Sequence, residues 1–447
     1  MTMQLNKPFI VPTLLAILLL LAYGHTFSFP FQFDDYNVIV DEPKVHSLSA
    51  WWQSMPGMRP LLKLSYALNW QLEQAPRFFR IFNLLCHFIA SILVWRLSAT
   101  LLPMLLNNIL YSNRISILTA VLFALHPAHT EVVSYISSRS TGLMTLFCMA
   151  SLLYWVKFNG ENFKNKFYLM ASMLFWLAAV LVKEPAIILP AVAMLITWFC
   201  FPQYMRFYKI KYLYLIAAPI AAYLIFTSQY QRLVLKAFDV SVLKNQLLWQ
   251  PVAHIHYLTH TLFGLHLNVD YSMNTPTIIY SVTYSIVLLV LIFLAFWFRK
   301  SHSLFSFCMF WWFICLVPSN SIIPRLDLIN DRQIYLASFA PILFTSVHVV
   351  NLAESIQKIK IMLPAALILL ALTAAWLRNL DYETEVTLWQ SSLQQQANNS
   401  RAWNNLGYAY LQANKKNEAK NAFENALKLD GNNHKAFYNL QEINDSN

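Results

Sequence analysis

Long apolar runs, separated by short polar connections over most of the chain, constrain this sequence more than any other feature. A helix needs roughly 20 mainly apolar residues to cross about 30 Å of hydrocarbon at 1.5 Å per residue. About eleven such runs occur, near residues 9–29, 79–98, 115–130, 141–157, 167–182, 186–201, 212–229, 277–298, 303–317, 334–352 and 361–377. Composition agrees, because 57% of the residues are apolar, 15% aromatic and only 12% charged. A soluble domain carries about 25% charged residues, so too little polar surface is left here to coat a water-facing protein. Disorder and low-complexity sequence are excluded by the same hydrophobicity. The first run follows a single Lys7 and lacks a small-residue cleavage site, which reads as a retained helix rather than a removed signal. The fold class expected is all-α: a multi-spanning domain over 1–377, its first outer loop at about 30–78, and a short helical domain behind it.

The net charge of +11 becomes informative once it is mapped. With a cytoplasmic N-terminus, thirteen basic residues and only Glu161 and Glu354 fall on the inner side. The outer loops then hold twelve bases and eleven acids, and the tail seven and eight, so the excess is cytoplasmic anchoring and implies no nucleic-acid partner. Acids gathered on one face suggest that chemistry happens there. The five cysteines lie within apolar runs and imply neither a disulfide framework nor a metal knuckle.

After Trp376 the chain turns polar, and an odd number of crossings places residues 378–447 outside. Trp403, Leu406, Gly407, Tyr410, Ala419, Phe423 and Ala426 follow the spacing of a 34-residue tetratricopeptide repeat, in which small residues let two antiparallel helices approach. Leu388 and Trp389 look like part of a degenerate repeat upstream, and Phe437 and Leu440 restart the pattern downstream. At least three repeats are normally needed for independent stability, so this array is expected to dock on the membrane domain or on a partner.

Four outer segments carry candidate chemistry. Asp34 and Asp35 are adjacent carboxylates just past a membrane helix, costly there unless solvated, hydrogen-bonded or useful as a base for a hydroxyl nucleophile. His126, His129 and Glu131 have a spacing that a metal could use, although a hydrogen-bonded structural motif is the plainer reading. Lys183 and Glu184 sit at another helix end, where a buried ion pair is the simplest account. Arg332 lies in the run Asn330–Leu336, at a depth where arginine either snorkels or binds a lipid phosphate in bidentate fashion. The histidine-rich stretch 249–271 reads as an amphipathic interfacial helix in preference to a histidine metal site, because its histidines do not all share one face.

Taken in order, Phe31–Tyr36, Arg59-Pro60-Leu61 with Ser65–Asn69, His126–Glu131, Lys183-Glu184-Pro185 and Asn330–Leu336, followed by an outer repeat, resemble the transmembrane and tetratricopeptide-repeat O-mannosyltransferases and their bacterial relatives. Those proteins are polytopic glycosyltransferases of the GT-C class. The resemblance covers nearly the whole chain, with a much shorter repeat array and loosely matching loops. It implies a polyprenyl-phosphate-linked sugar (mannose or a similar hexose) as donor and transfer to a hydroxyl, on a protein acceptor, at the extracytoplasmic face. It places the catalytic base at Asp34 or Asp35. A direct displacement also needs positive charge on the departing phosphate, for which Arg332, Lys183, Arg59 and Arg139 are the candidates. His126, His129, Glu131, Glu184 and Tyr335 would shape the pocket, and Trp403, Asn404, Asn405 and Tyr408 would bind the acceptor. No cofactor is called for; a divalent metal is compatible but not favoured. The compact length suggests a bacterial inner membrane with the repeats in the periplasm. Two other readings are a non-catalytic scaffold recruiting partners through its repeats and a transporter for a lipid-linked substrate.

Overall fold

The computed structural model describes residues 9–55, 57–106, 110–204, 240–272, 276–320 and 327–445. Helices of ten or more residues are numbered here in chain order. In the first half these are α1 (Ile10–Tyr23), α2 (Pro60–Leu72), α3 (Pro76–Leu105), α4 (Ser112–Ala124), α5 (Arg139–Gly160), α6 (Lys166–Val182) and α7 (Leu189–Cys200). In the second half they are α8 (Val240–Phe263), α9 (Ile278–Trp297), α10 (Ser303–Leu316), α11 (Phe339–Ser355) and α12 (Met362–Leu380). Four shorter helices close the chain: α13 (Glu385–Gln395), α14 (Ser400–Gln412), α15 (Lys416–Leu429) and α16 (His434–Asp445). The described residues form no strand.

Proline sets several starts. Pro60 and Pro76 open α2 and α3 at a position whose N–H has no intrahelical partner anyway. The long α3 packs against α1, α4, α5 and α7, and α5 against α6 and α7. In the second half α10 lies between α7, α9 and α11, and α12 returns to α1. Burial separates centre from rim: 78% of the most apolar stretch of Ile136–Gly160 is buried, against 11% for Ile278–Trp297 and for Met362–Leu380. The uncovered side chains of α9, such as Ile279, Leu289 and Phe293, are apolar, as a lipid-facing helix requires.

Among the described residues five helices are long and apolar enough to span a bilayer: Ile10–Ser28, Pro76–Leu105, Ile136–Gly160, Ile278–Trp297 and Met362–Leu380. The number becomes seven if two bent pairs each count once, Ser112–Ala124 with Pro127–Ser134 (50°) and Asp331–Ala337 with Phe339–Ser355 (63°). The chain is therefore an integral membrane protein. The expected run 212–229 lies outside the described residues. Each other expected run falls on an apolar helix or a bent pair, but Lys166–Val182, Glu184–Cys200 and Ser303–Leu316 are shorter than a full crossing. A scan for apolar runs registers a short helix packed among its neighbours as readily as one that crosses.

The stretch expected to be helical over 249–271 falls largely within α8, which begins earlier and ends at Phe263. Gly264 stops it, with φ +63° and no room for a side chain: a Cβ there would sit 2.5 Å from the Pro127 ring. One face of α8 enters the core through Trp249, Tyr257 and His260.

The four terminal helices form the expected tetratricopeptide-type stack and dock on the membrane domain. Trp389, Leu393, Ala402, Leu406 and Ala422 build one small core, and Phe423, Ala426, Ala436 and Ile443 a second. The docking is both apolar and polar: Leu388 packs with Phe29, Tyr135 and Tyr382, while Asn399 Nδ2 donates to Asp270 Oδ2 (3.0 Å), Asn268 Nδ2 to the Ser392 carbonyl (3.3 Å) and Gln32 Nε2 to the Tyr382 carbonyl (2.5 Å).

Candidate active site

The two acids of the first outer loop have different surroundings. Asp35 is fully buried; its Oδ1 accepts from the Ser137 N–H (2.7 Å) and its Oδ2 from the Gln32 N–H (3.1 Å). Burial pushes its carboxyl up to about 7, against the opposing pull of the Arg80 guanidinium and of those N–H donors. Asp34 is half-buried, its backbone N–H donating to the Tyr135 hydroxyl (3.0 Å) while its carboxylate hydrogen-bonds to none of the described residues. Phe33, just before it, has φ +46°, a left-handed conformation that non-glycine residues adopt at a cost and that is found preferentially at functional sites.

Asp34 opens into a cavity of about 230 Å³ that lies between the membrane domain and the repeats. Its other polar walls are Tyr135, Asp270, Asp327, Asn330, Arg332 and Arg401. Glu131 fixes Arg332, its Oε1 accepting from a guanidinium nitrogen (3.1 Å) and its Oε2 from the Arg332 backbone N–H (3.0 Å). The Arg332 side chain remains 24% exposed and lines the cavity. Arg401, in the first turn of α14, donates from Nε to Asp270 Oδ2 (2.9 Å), pairs with Asp270 Oδ1 through a terminal nitrogen, and reaches Asp327 Oδ1 (2.9 Å). Asp34 attracts both cations.

A second cavity, a groove of about 600 Å³, adjoins the first. Phe33 and Trp389 line both, and Tyr36, Asn37, Asn405 and Tyr408 continue the groove outward. The acceptor candidates are thus split between faces. Asn405 and Tyr408 look into this groove, whereas Trp403 borders a depression formed with Tyr410 and Asn421, its indole N–H donating to the Ala397 carbonyl (2.8 Å). Asn404 is buried and hydrogen-bonded to Asn405 and Asn439, each at 3.2 Å.

Of the four candidate phosphate cations, Arg332 alone lines the Asp34 cavity among the described residues. Arg139 is buried and spends its guanidinium on Asn83 Oδ1 (2.8 Å) and on the Ser65 and Phe79 carbonyls (both 3.1 Å). Arg59 forms a bidentate pair with Glu184 (2.9 and 3.0 Å), and Lys183 donates to Thr141 Oγ1 (2.6 Å). The histidines knit the helix ends: His126 Nε2 bonds the Thr261 carbonyl (2.9 Å), His129 Nε2 bonds Ser338 Oγ (2.9 Å), and the Tyr335 hydroxyl bonds His87 Nδ1 (2.5 Å). Both sequence histidines are thus engaged in hydrogen bonds within the fold.

Sequence reasoning missed Arg401, Asp270 and Asp327. One signal for Arg401 exists, because a cation in the first turn of a helix opposes the dipole and needs an external partner. Nothing local marks Asp327.

Together these features define an integral membrane protein with a polar cavity at one end of its helix bundle and a tetratricopeptide-type domain closing it. Residues 400–433 match the tetratricopeptide repeat family. The homologues of the chain are protein O-mannosyl-transferases. It is 23% identical over 437 residues to protein O-mannosyl-transferase F38B6.6 of Caenorhabditis elegans, covering 90% of this chain and 60% of that protein. It is 24% identical over 476 residues to human protein O-mannosyl-transferase TMTC3, covering 93% and 50%. A shorter match, 33% identical over 132 residues, joins it to Drosophila melanogaster protein O-mannosyl-transferase Tmtc1, covering 29% and 14%. The chain thus spans about half to three fifths of the length of the first two relatives. No solved structure matches it.

Proposed function

We propose that this protein is a membrane glycosyltransferase that moves mannose, or a similar hexose, from a polyprenyl-phosphate donor to a hydroxyl on a protein acceptor at the extracytoplasmic face. The acceptor oxygen attacks the anomeric carbon as the bond from that carbon to the phosphate oxygen breaks. Asp34 takes the hydroxyl proton, and the phosphate leaves with the bonding electrons toward Arg332 and Arg401. Asp35, enclosed and held by two N–H donors, positions its neighbour instead of touching substrate. The acceptor would lie in the groove of Tyr36, Asn405 and Tyr408 and reach Asp34 past Phe33.

The observation that carries this reading is that Asp34, whose carboxylate is not tied to Arg401 as those of Asp270 and Asp327 are, shares with Arg332 and Arg401 a single cavity that adjoins a groove on the repeats. Protein O-mannosyl-transferase homologues support the reaction class. The test is transfer of labelled mannose from a polyprenyl phosphate by membranes containing the full chain. Asp34→Asn is expected to lower the rate at least 100-fold while expression and membrane insertion persist. Undiminished transfer in Asp34→Asn would overturn the assignment of the base.

A further inference from the structure

We infer that His256, His260 and Asp331 form a binding site for one transition-metal dication of the zinc class, which pins α8 to the turn that carries Arg332. His256 and His260 are one helical turn apart and so lie on the same face of α8, their rings 3.8 Å apart between centroids. Asp331 comes from a segment far along the chain, and each of the three residues offers a ligand atom within 4.8 Å of the others. His260 Nδ1 and Asp331 Oδ1 are 3.0 Å apart. Two ligands on a tetrahedral ion with bonds of about 2.0–2.2 Å stand about 3.3 Å apart, so this pair needs little movement to share one.

A second observation points the same way. His256 Nε2 is buried and has no hydrogen-bond partner among the described residues. A metal ion supplies the missing partner. The carboxylate is supported as ligating carboxylates are: the Tyr271 hydroxyl donates to Asp331 Oδ1 (2.7 Å) and the Asn268 N–H to Oδ2 (2.9 Å). His260 and Asp331 are 3% and 1% exposed, whereas His256 is only partly covered and marks the side from which an ion enters. Two imidazoles and one carboxylate suit zinc better than magnesium or calcium, which favour all-oxygen sets. Held in this way, Asp331 would fix the backbone of Arg332 from one side while Glu131 holds it from the other.

The test uses the full chain purified in detergent with a tag free of histidine, followed by metal analysis. About one zinc per chain is expected, falling at least tenfold in His256→Ala and in Asp331→Asn. The wild-type chain, stripped with a chelator and titrated with Co²⁺, should develop the visible absorption of a tetrahedral cobalt centre and then lose it to added Zn²⁺. A stripped wild-type chain that takes up neither ion, or a His256→Ala chain holding as much zinc as the wild type, would overturn the site. The cobalt titration needs no variant, so a misfolded mutant cannot decide the outcome.

Discussion

Burial draws apart two carboxylates that adjoin in sequence. Asp35 points inward among Arg80, Tyr66 and Arg139, and burial raises it to about 7. In the unfolded chain the same group titrates near about 3.9, so on raising the pH the unfolded state loses its proton first. Its contribution to stability is therefore complete below about pH 4 and is lost as the pH rises toward 7. The melting temperature in detergent should carry this slope, and Asp35→Asn should flatten it. The same change lowers stability at every pH, because its amide N–H₂ would face a backbone N–H that now meets an acceptor. Glu131 permits a cleaner test of Arg332. Glu131→Gln keeps the shape but removes the charge that orients the guanidinium, and mannosyl transfer is expected to fall about tenfold, read as kcat/KM. The acidic pair and Arg332 were visible in the sequence as rare charges at apolar borders. Which acid faces the cavity was not, because the choice depends on Ser137 and Tyr135, a hundred residues away.

At the level of elements, the apolar runs and the repeat spacing foretold most helices, since each depends on local pattern alone. Gly407 shows how specific that pattern is. A Cβ at this position would approach the Phe423 ring to 2.6 Å, so α14 and α15 can cross as they do only with glycine there. Gly407→Val is expected to cost about 1–3 kcal/mol through overpacking and to lower the unfolding temperature of the repeat helices, seen by circular dichroism. Apolar run length did not distinguish helices that cross from those too short to cross, nor foresee the bend at Leu125–His126. Just past that bend Pro127 seats against Gly264, a contact between segments far apart in the chain. The histidine-rich stretch was legible as a helix, but the approach of His256 and His260 to Asp331 was not.

For the molecule as a whole, the repeats complete the site instead of merely adjoining it. Arg401 ties α14 to Asp270 and Asp327 and lends the cavity a second cation. Arg401→Ala should lower transfer at least tenfold and make limited proteolysis release the repeat helices sooner; a change in neither would count against this coupling. Deleting 381–447 separates enzyme from scaffold: a scaffold loses function with the deletion and keeps it in Asp34→Asn, whereas an enzyme of the kind proposed loses it in both. Elsewhere in the bundle Arg114 and Lys360 share Glu354, joining the start of α4 to the end of α11. Composition, apolar run length and repeat spacing were enough to read a helical membrane protein, a repeat tail, and the loops in which charge is rare enough to matter. Three-dimensional packing was needed to show which acid faces the cavity, that Arg139, His126 and His129 are engaged within the fold, and that Arg401 and Asp331 meet distant partners. The physical reason is that solvation and pairing of a charged side chain are set by groups far along the chain, which local pattern does not encode.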